Sequence, residues 1–147
     1  MKRIIGLAIV VAALVAGCGS TADKNEYVTS VNNAQAALTT SLSKINPAGN
    51  PSQVATELDE GAKAIEKAAT DFKAIEPPDD AKGAHDKIVK GLNGLATTFR
   101  EAAEAAKAKD TQKMVELLSG IQTSAGAKEL EAAQKELTEN GYKFKDA

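Results

Sequence analysis

The sequence predicts an all-α protein, an up-down antiparallel four-helix bundle after a cleaved signal peptide, and three observations carry that prediction. Apolar residues recur at intervals of three and four along four stretches, the spacing that lines one face of an α-helix. The four prolines fall in two pairs, Pro47 with Pro51 and Pro77 with Pro78, and interrupt the chain between stretches. The chain is rich in helix formers, with 28 Ala in 147 residues, and has few β-branched runs beyond its N-terminal segment.

The first helix is expected from about Asp23 to Lys44. Asp23 with Glu26 three positions on forms a variant of the capping box, and Asn46-Pro47-Ala48-Gly49 stops it. Its stripe is Val28, Val31, Leu38, Leu42 and Ile45, with Ala34 in the gap. The second runs from Pro51 to about Ile75, with Asn50 as N-cap and Pro51 in the first helical position. Val54, Leu58, Ala62, Ile65, Ala69 and Phe72 form its apolar face.

Pro77-Pro78 forces an extended link, so the third helix starts near Asp79 and runs to about Lys109. Its stripe is Ala81, His85, Ile88, Leu92, Leu95, Phe99, Ala102 and Ala106, spaced only by three and four. The fourth opens at Asp110, carries Met114, Leu118, Ile121, Ala125, Leu130, Ala133 and Leu137, and ends at Asn140-Gly141 in a left-handed stop. The step from 125 to 130 breaks its spacing beside Ser124 and Gly126, which predicts a kink or a break. Short links place successive helices antiparallel, and one apolar stripe per helix calls for a bundle.

The N-terminus has a different character. Met1-Lys2-Arg3 is a positive start, and Ile4 to Ala16 is an uncharged apolar stretch of 13 residues ahead of Cys18. That is the layout of a secretory signal peptide, and it is shorter than the ~20 apolar residues of a spanning helix. Leu14-Val15-Ala16-Gly17-Cys18 closely resembles the bacterial lipobox. The resemblance implies cleavage after Gly17 and a diacylglyceryl thioether on the sulfur of Cys18, the new N-terminus. The chain then divides into a lipoprotein signal peptide (1–17), the lipidated Cys with a short tether (18–22) and a helical domain (23–147). Two acyl chains are enough to hold a soluble domain at a membrane. The tether from Cys18 to Asp23 spans at most about 17 Å, which keeps the domain close to the lipid.

Pro77-Pro78-Asp79-Asp80 with Ala84-His85-Asp86-Lys87-Ile88-Val89-Lys90-Gly91-Leu92 also resembles small lipoproteins of uncharacterised function from actinobacteria and other Gram-positive bacteria. This resemblance covers residues 70 to 110. It implies an all-helical extracytoplasmic domain and assigns no catalytic residue.

Composition narrows the function further. Removing residues 1–17 takes Lys2 and Arg3 away and moves the formal net charge from −2 to −4, a poor balance for binding nucleic acid. The single Cys is committed to the anchor, leaving no thiol for a disulfide, a zinc cluster or a nucleophile. His85, the only imidazole, is the candidate ligand residue; its place on the apolar stripe reads first as a buried structural histidine. As a ligand it would need Glu76 or a group on another helix, because its neighbour Asp86 points about 100° away.

The first helix carries no charge between Glu26 and Lys44. Its Thr29, Asn32, Asn33, Gln35 and Thr39 form a candidate contact face, since hydroxyls and amides desolvate at lower cost than charges. An ordinary solvated face is the plainer alternative. Ser119 to Ala127 is a second uncharged stretch, which in a closed bundle would neighbour the first helix. Gly83, Gly91 and Gly94 on the third helix invite either close approach of another backbone or simple tolerance on an Ala-rich helix, the preferred account.

These observations lead to an expected function: a non-enzymatic, lipid-anchored extracytoplasmic protein that works by contact with an envelope protein or glycan, with no cofactor or metal. The alternative is a carrier of a small apolar or metal ligand in the bundle core.

Overall fold

The computed structural model describes residues 21–43 and 50–144. The signal stretch, Cys18, Lys44 and Ile45 lie outside the described residues, as does the side chain of Leu42. Five α-helices pack together, and no strand occurs among the described residues. They are α1 (Thr21–Leu42), α2 (Pro51–Lys73), α3 (Lys82–Lys107), α4 (Thr111–Ser119) and α5 (Ala125–Glu139).

Local chemistry accounts for most of the boundaries. Asn50 caps α2 by accepting the Gln53 amide at 3.0 Å, and Pro51 opens the helix as expected. α1 begins at Thr21, so Asp23 lies inside its first turn instead of capping it. After Pro77-Pro78 the chain makes one 3-10 turn, Asp79–Ala81, and α3 begins only at Lys82. Extended Pro78 leaves its carbonyl to the Ala81 amide at 2.9 Å, which tightens the entry turn.

The expected fourth helix is two helices. Past Ser119 the chain makes a 3-10 turn, Ile121–Thr123, and extended Ser124 starts a new helix by accepting the Ala127 amide at 3.1 Å. Ala125, placed on the sequence stripe, is therefore the exposed first residue of α5, and Gly126 is buried in its stead. Gly141, at φ 83°, terminates α5 in the left-handed conformation the sequence predicts.

α3 is the central helix and packs against α2, α4 and α5. α2 runs antiparallel to it: Glu66 pairs with Arg100 at 2.5 Å, while Phe72 lies beside His85. α5 is antiparallel to α3 as well, with Gly126 against Gly91 and Gly94 and with Glu136 bonded to Lys87. All six residues of the α2 stripe are buried, and those of the α3 stripe are buried or half-buried. α4 buries no side chain fully and leaves Val115 53% exposed.

Among the described residues two apolar clusters make up the core. The larger joins Tyr27 and Val31 of α1 to Ile65, Phe72, Leu92, Leu137 and Tyr142. The smaller is built from Val54, Ala55 and Leu58 of α2 with Ala102, Ala103 and Ala106 of α3, and Met114, Leu117 and Leu118 of α4 cover it. Among the described side chains α1 has no part in the second cluster, and the helix it packs against most is α2.

The structure overturns the preferred reading at Gly91 and Gly94, whereas Gly83 meets only the end of the Glu136 side chain. A Cβ on Gly91 would lie 2.8 Å from the Gly126 carbonyl, and one on Gly126 would lie 2.7 Å from the Gly91 carbonyl. The close backbone approach of α3 and α5 demands both residues. Asp86 with Lys90 and Glu131 with Lys135 stand four apart on their helices, a spacing that permits an ion pair, yet both lysines take other partners. Lys90 reaches across to Glu129 at 2.6 Å instead of pairing with Asp86, and Lys135 approaches Glu139, not Glu131. Asp59 and Lys63, four apart on α2, do pair, at 2.6 Å.

Candidate functional site

One end of the molecule gathers polar and aromatic side chains from distant parts of the sequence. The start of α1 supplies Lys24 and Tyr27, the end of α2 supplies Phe72, and the turn after Pro78 supplies Asp80. His85 comes from the first turn of α3, and Asn140 and Tyr142 come from the turn that ends α5. Tyr27 is 2% exposed, and its ring meets those of Phe72 and Tyr142 edge-on at 6.4 and 5.8 Å. His85 stacks on Phe72 with centroids 4.8 Å apart, and its Nδ1 lies 3.1 Å from the Tyr27 hydroxyl.

A second layer of bonds surrounds this aromatic box. Lys24 Nζ sits 2.5 Å from Asp80 Oδ2, donates to the Asn140 carbonyl at 2.9 Å, and lies 4.8 Å from the centroid of the Tyr142 ring. The Tyr142 hydroxyl donates to Asp80 Oδ1 at 2.6 Å, and the Asn140 amide donates to the Asp80 carbonyl at 2.6 Å. Asp80 thus ties α1 and the C-terminal segment to the turn between α2 and α3.

The electrostatics follow from burial and pairing. Burial pushes the Tyr27 phenol up to about 12 and holds His85 below its ordinary value, with Asp86 opposing the second effect only in part. The Tyr27–His85 bond therefore joins two uncharged groups at neutral pH. Donation from Lys24 and then from Tyr142 holds the Asp80 carboxyl below the usual range, and burial followed by the bond to Asp80 raises Tyr142. Such an arrangement holds α1 against α2 and α3.

His85 is 5% exposed, buried on its stripe as expected, with Phe72 and Tyr27 filling the space around its ring. Glu76, the acid suggested as its partner, lies instead on the rim of an open groove of about 560 Å³ with Glu26, Ile75, Pro77 and Pro78. Among the described residues no group of three His, Cys, Asp or Glu side chains is placed to hold a metal ion. No helix there is long and apolar enough to cross a membrane.

On α1, Thr29, Asn33, Gln35 and Thr39 are exposed and Asn32 is half-buried. Thr29 donates its hydroxyl to the Asn25 carbonyl at 2.8 Å, within the helix. The second uncharged stretch does not extend this face as expected, because Gly126 seats it on α3 while α1 rests on α2.

The sequence reading missed Lys24, Tyr27, Asp80 and Tyr142 as members of a common site. Tyr27 stands next to the stripe residue Val28, and Tyr142 follows the helix stop, so periodicity points to neither. The available signal was scarcity: the chain has only two Tyr, one near each end of the helical domain. Comparison with protein-family models, with curated proteins and with solved structures gave no significant match.

Proposed function

We propose that this chain is a lipid-anchored extracytoplasmic protein that acts by contact, presenting the uncharged face of α1 to an envelope protein or glycan. The observation that carries the reading is a continuity. The helix that begins at Thr21, three residues after the lipobox Cys18, is the one that exposes Thr29, Asn33, Gln35 and Thr39. On this reading residues 1–17 are removed, Cys18 bears the diacylglyceryl group, and the end built around Tyr27 and His85 faces the bilayer.

The up-down four-helix architecture belongs to the same proposal, with α4 and α5 as two pieces of one broken fourth helix. It is supported by the antiparallel packing of α2 and of α5 on α3, and by the contact of Tyr27 with Tyr142.

Crosslinking in intact cells, followed by affinity capture, tests the contact. The native chain is compared with a variant carrying Asn32→Lys, Gln35→Lys and Thr39→Lys. Capture of one protein or glycan by the native chain and its loss from an equally folded, equally membrane-bound variant is the expected result. Equal capture by both forms removes α1 as the contact face. A Cys18→Ser chain recovered without lipid, in the soluble fraction, checks the anchor separately.

A further inference from the structure

We propose that α1 is a releasable strap, latched to the body at its N-terminal end and able to lift from α2 as a unit when the latch takes up a proton. Its hold on the rest of the molecule is concentrated in its first three turns. Tyr27 enters the aromatic box and bonds His85, and Lys24 binds Asp80 and the Asn140 carbonyl. Beyond Val31, among the side chains described as far as Thr40, Ala34 and Leu38 are half-buried against the core, while Asn33, Gln35, Ala36, Thr39 and Thr40 are exposed.

The body has its own fastenings. Glu66 with Arg100 ties α2 to α3, and Lys87 with Glu136 and Lys90 with Glu129 tie α3 to α5. The backbone contact of Gly91 and Gly94 with Gly126 forms without α1, and among the described side chains so does the second apolar cluster. Loss of α1 therefore leaves three helices joined through α3, with α4 still seated on it.

The trigger is geometrically placed at the latch. His85 is the only imidazole of the chain, and lifting Tyr27 away opens its box to water. The charged and titratable groups on the segments that meet at this end are Asp23, Lys24, Glu26 and Tyr27 from α1, Glu76 just past α2, and Asp79 and Asp80 from the turn. Lys82 and Asp86 come from α3, and Tyr142 from the last segment. Between pH 7.5 and 5 the side chain whose ordinary titration range is crossed is an imidazole, and His85 is the one imidazole of the chain. Protonation is disfavoured inside the box and ordinary outside it, so acid favours the lifted state. Each pH unit below about 6.5 multiplies the lifted population by at most about ten, the limit for one proton. On the anchored reading above, a lifted α1 becomes a stalk between lipid and body; its 22 residues span about 33 Å.

Hydrogen–deuterium exchange on the full chain in detergent micelles tests the strap whether or not Cys18 carries lipid. Rates at pH 7.5, 6 and 5 are corrected for intrinsic chemistry. The expected result is opening of residues 27–42 that rises from pH 7.5 to 5, by at most about thirty-fold for one proton, while the α2 and α3 amides keep their protection. In His85→Gln, which keeps a partner for the Tyr27 hydroxyl but does not titrate, the α1 opening is flat with pH. Tyr27→Phe provides an independent check, with α1 opening several-fold more at pH 7.5 and the body unchanged. The strap is overturned if α1 opens only together with α2 and α3, if its opening in the native chain is flat with pH, or if His85→Gln retains the full pH dependence.

Discussion

The Tyr27 hydroxyl and the His85 ring meet at 3.1 Å across 58 positions of sequence, and that bond joins the first helix to the central one. Both partners are buried, so neither can exchange the bond for water without opening the box. Tyr27→Phe keeps the ring contacts with Phe72 and Tyr142 and removes only the hydroxyl. It should lower stability by about 1–2 kcal/mol, read as a fall in the urea midpoint at unchanged slope. Tyr27→Ala also empties the box and should cost about 3–5 kcal/mol.

Stability should fall on acidification in two stages. The folded value of His85 lies below its unfolded value near 6.5, so the unfolded chain binds the proton more readily. Its contribution is complete above about pH 6.5 and declines below it. Asp80 is also depressed, so its contribution holds above about pH 4 and is lost as pH falls through the folded value. Urea midpoints from pH 8 to 3 check both: His85→Gln should flatten the upper stage alone, and Asp80→Asn the lower stage alone.

Two glycine substitutions on facing helices should differ in sign. Gly126→Ala drives a methyl to 2.7 Å from the Gly91 carbonyl and 2.9 Å from the Leu95 amide, both backbone atoms. It should cost about 2–3 kcal/mol. Gly83 itself is exposed, and its nearest obstacle is the far end of the flexible Glu136 side chain, which can swing aside. Gly83→Ala should gain up to about 1 kcal/mol from helix propensity. Thermal unfolding of the pair alongside the native chain decides the matter.

Left-handed residues end two of the helices. Lys109 sits at φ 59°, and the amide of Asp110 returns to the Ala105 carbonyl at 2.9 Å, closing α3. Lys109→Gly should stabilise by about 0.5–1 kcal/mol, because glycine adopts that conformation without steric cost. Gly141→Ala, at φ 83°, should destabilise by about 1 kcal/mol and loosen the approach of Tyr142 to Asp80. Differential scanning calorimetry of the two variants gives both signs.

Periodicity was sufficient to place the helices and most of what they bury. The stripe from Val54 to Phe72 went inward in full, the break beside Ser124 was visible as a failed interval, and His85 sat among apolar neighbours in one dimension as it does in three. These are local properties: an apolar face, a cap or a stop depends on residues within a turn or two of one another.

Tertiary structure alone decided what crosses between helices. Gly91 and Gly94 read as tolerated until Gly126 was found against them, and Lys90 had a near partner in sequence but a different one in space. The box of Tyr27, Phe72, His85 and Tyr142, with Lys24 and Asp80 outside it, draws on five separate parts of the chain. No interval along the sequence encodes that meeting. It depends on how the helices are rotated and how far they slide along one another, which close packing of the whole core sets at once.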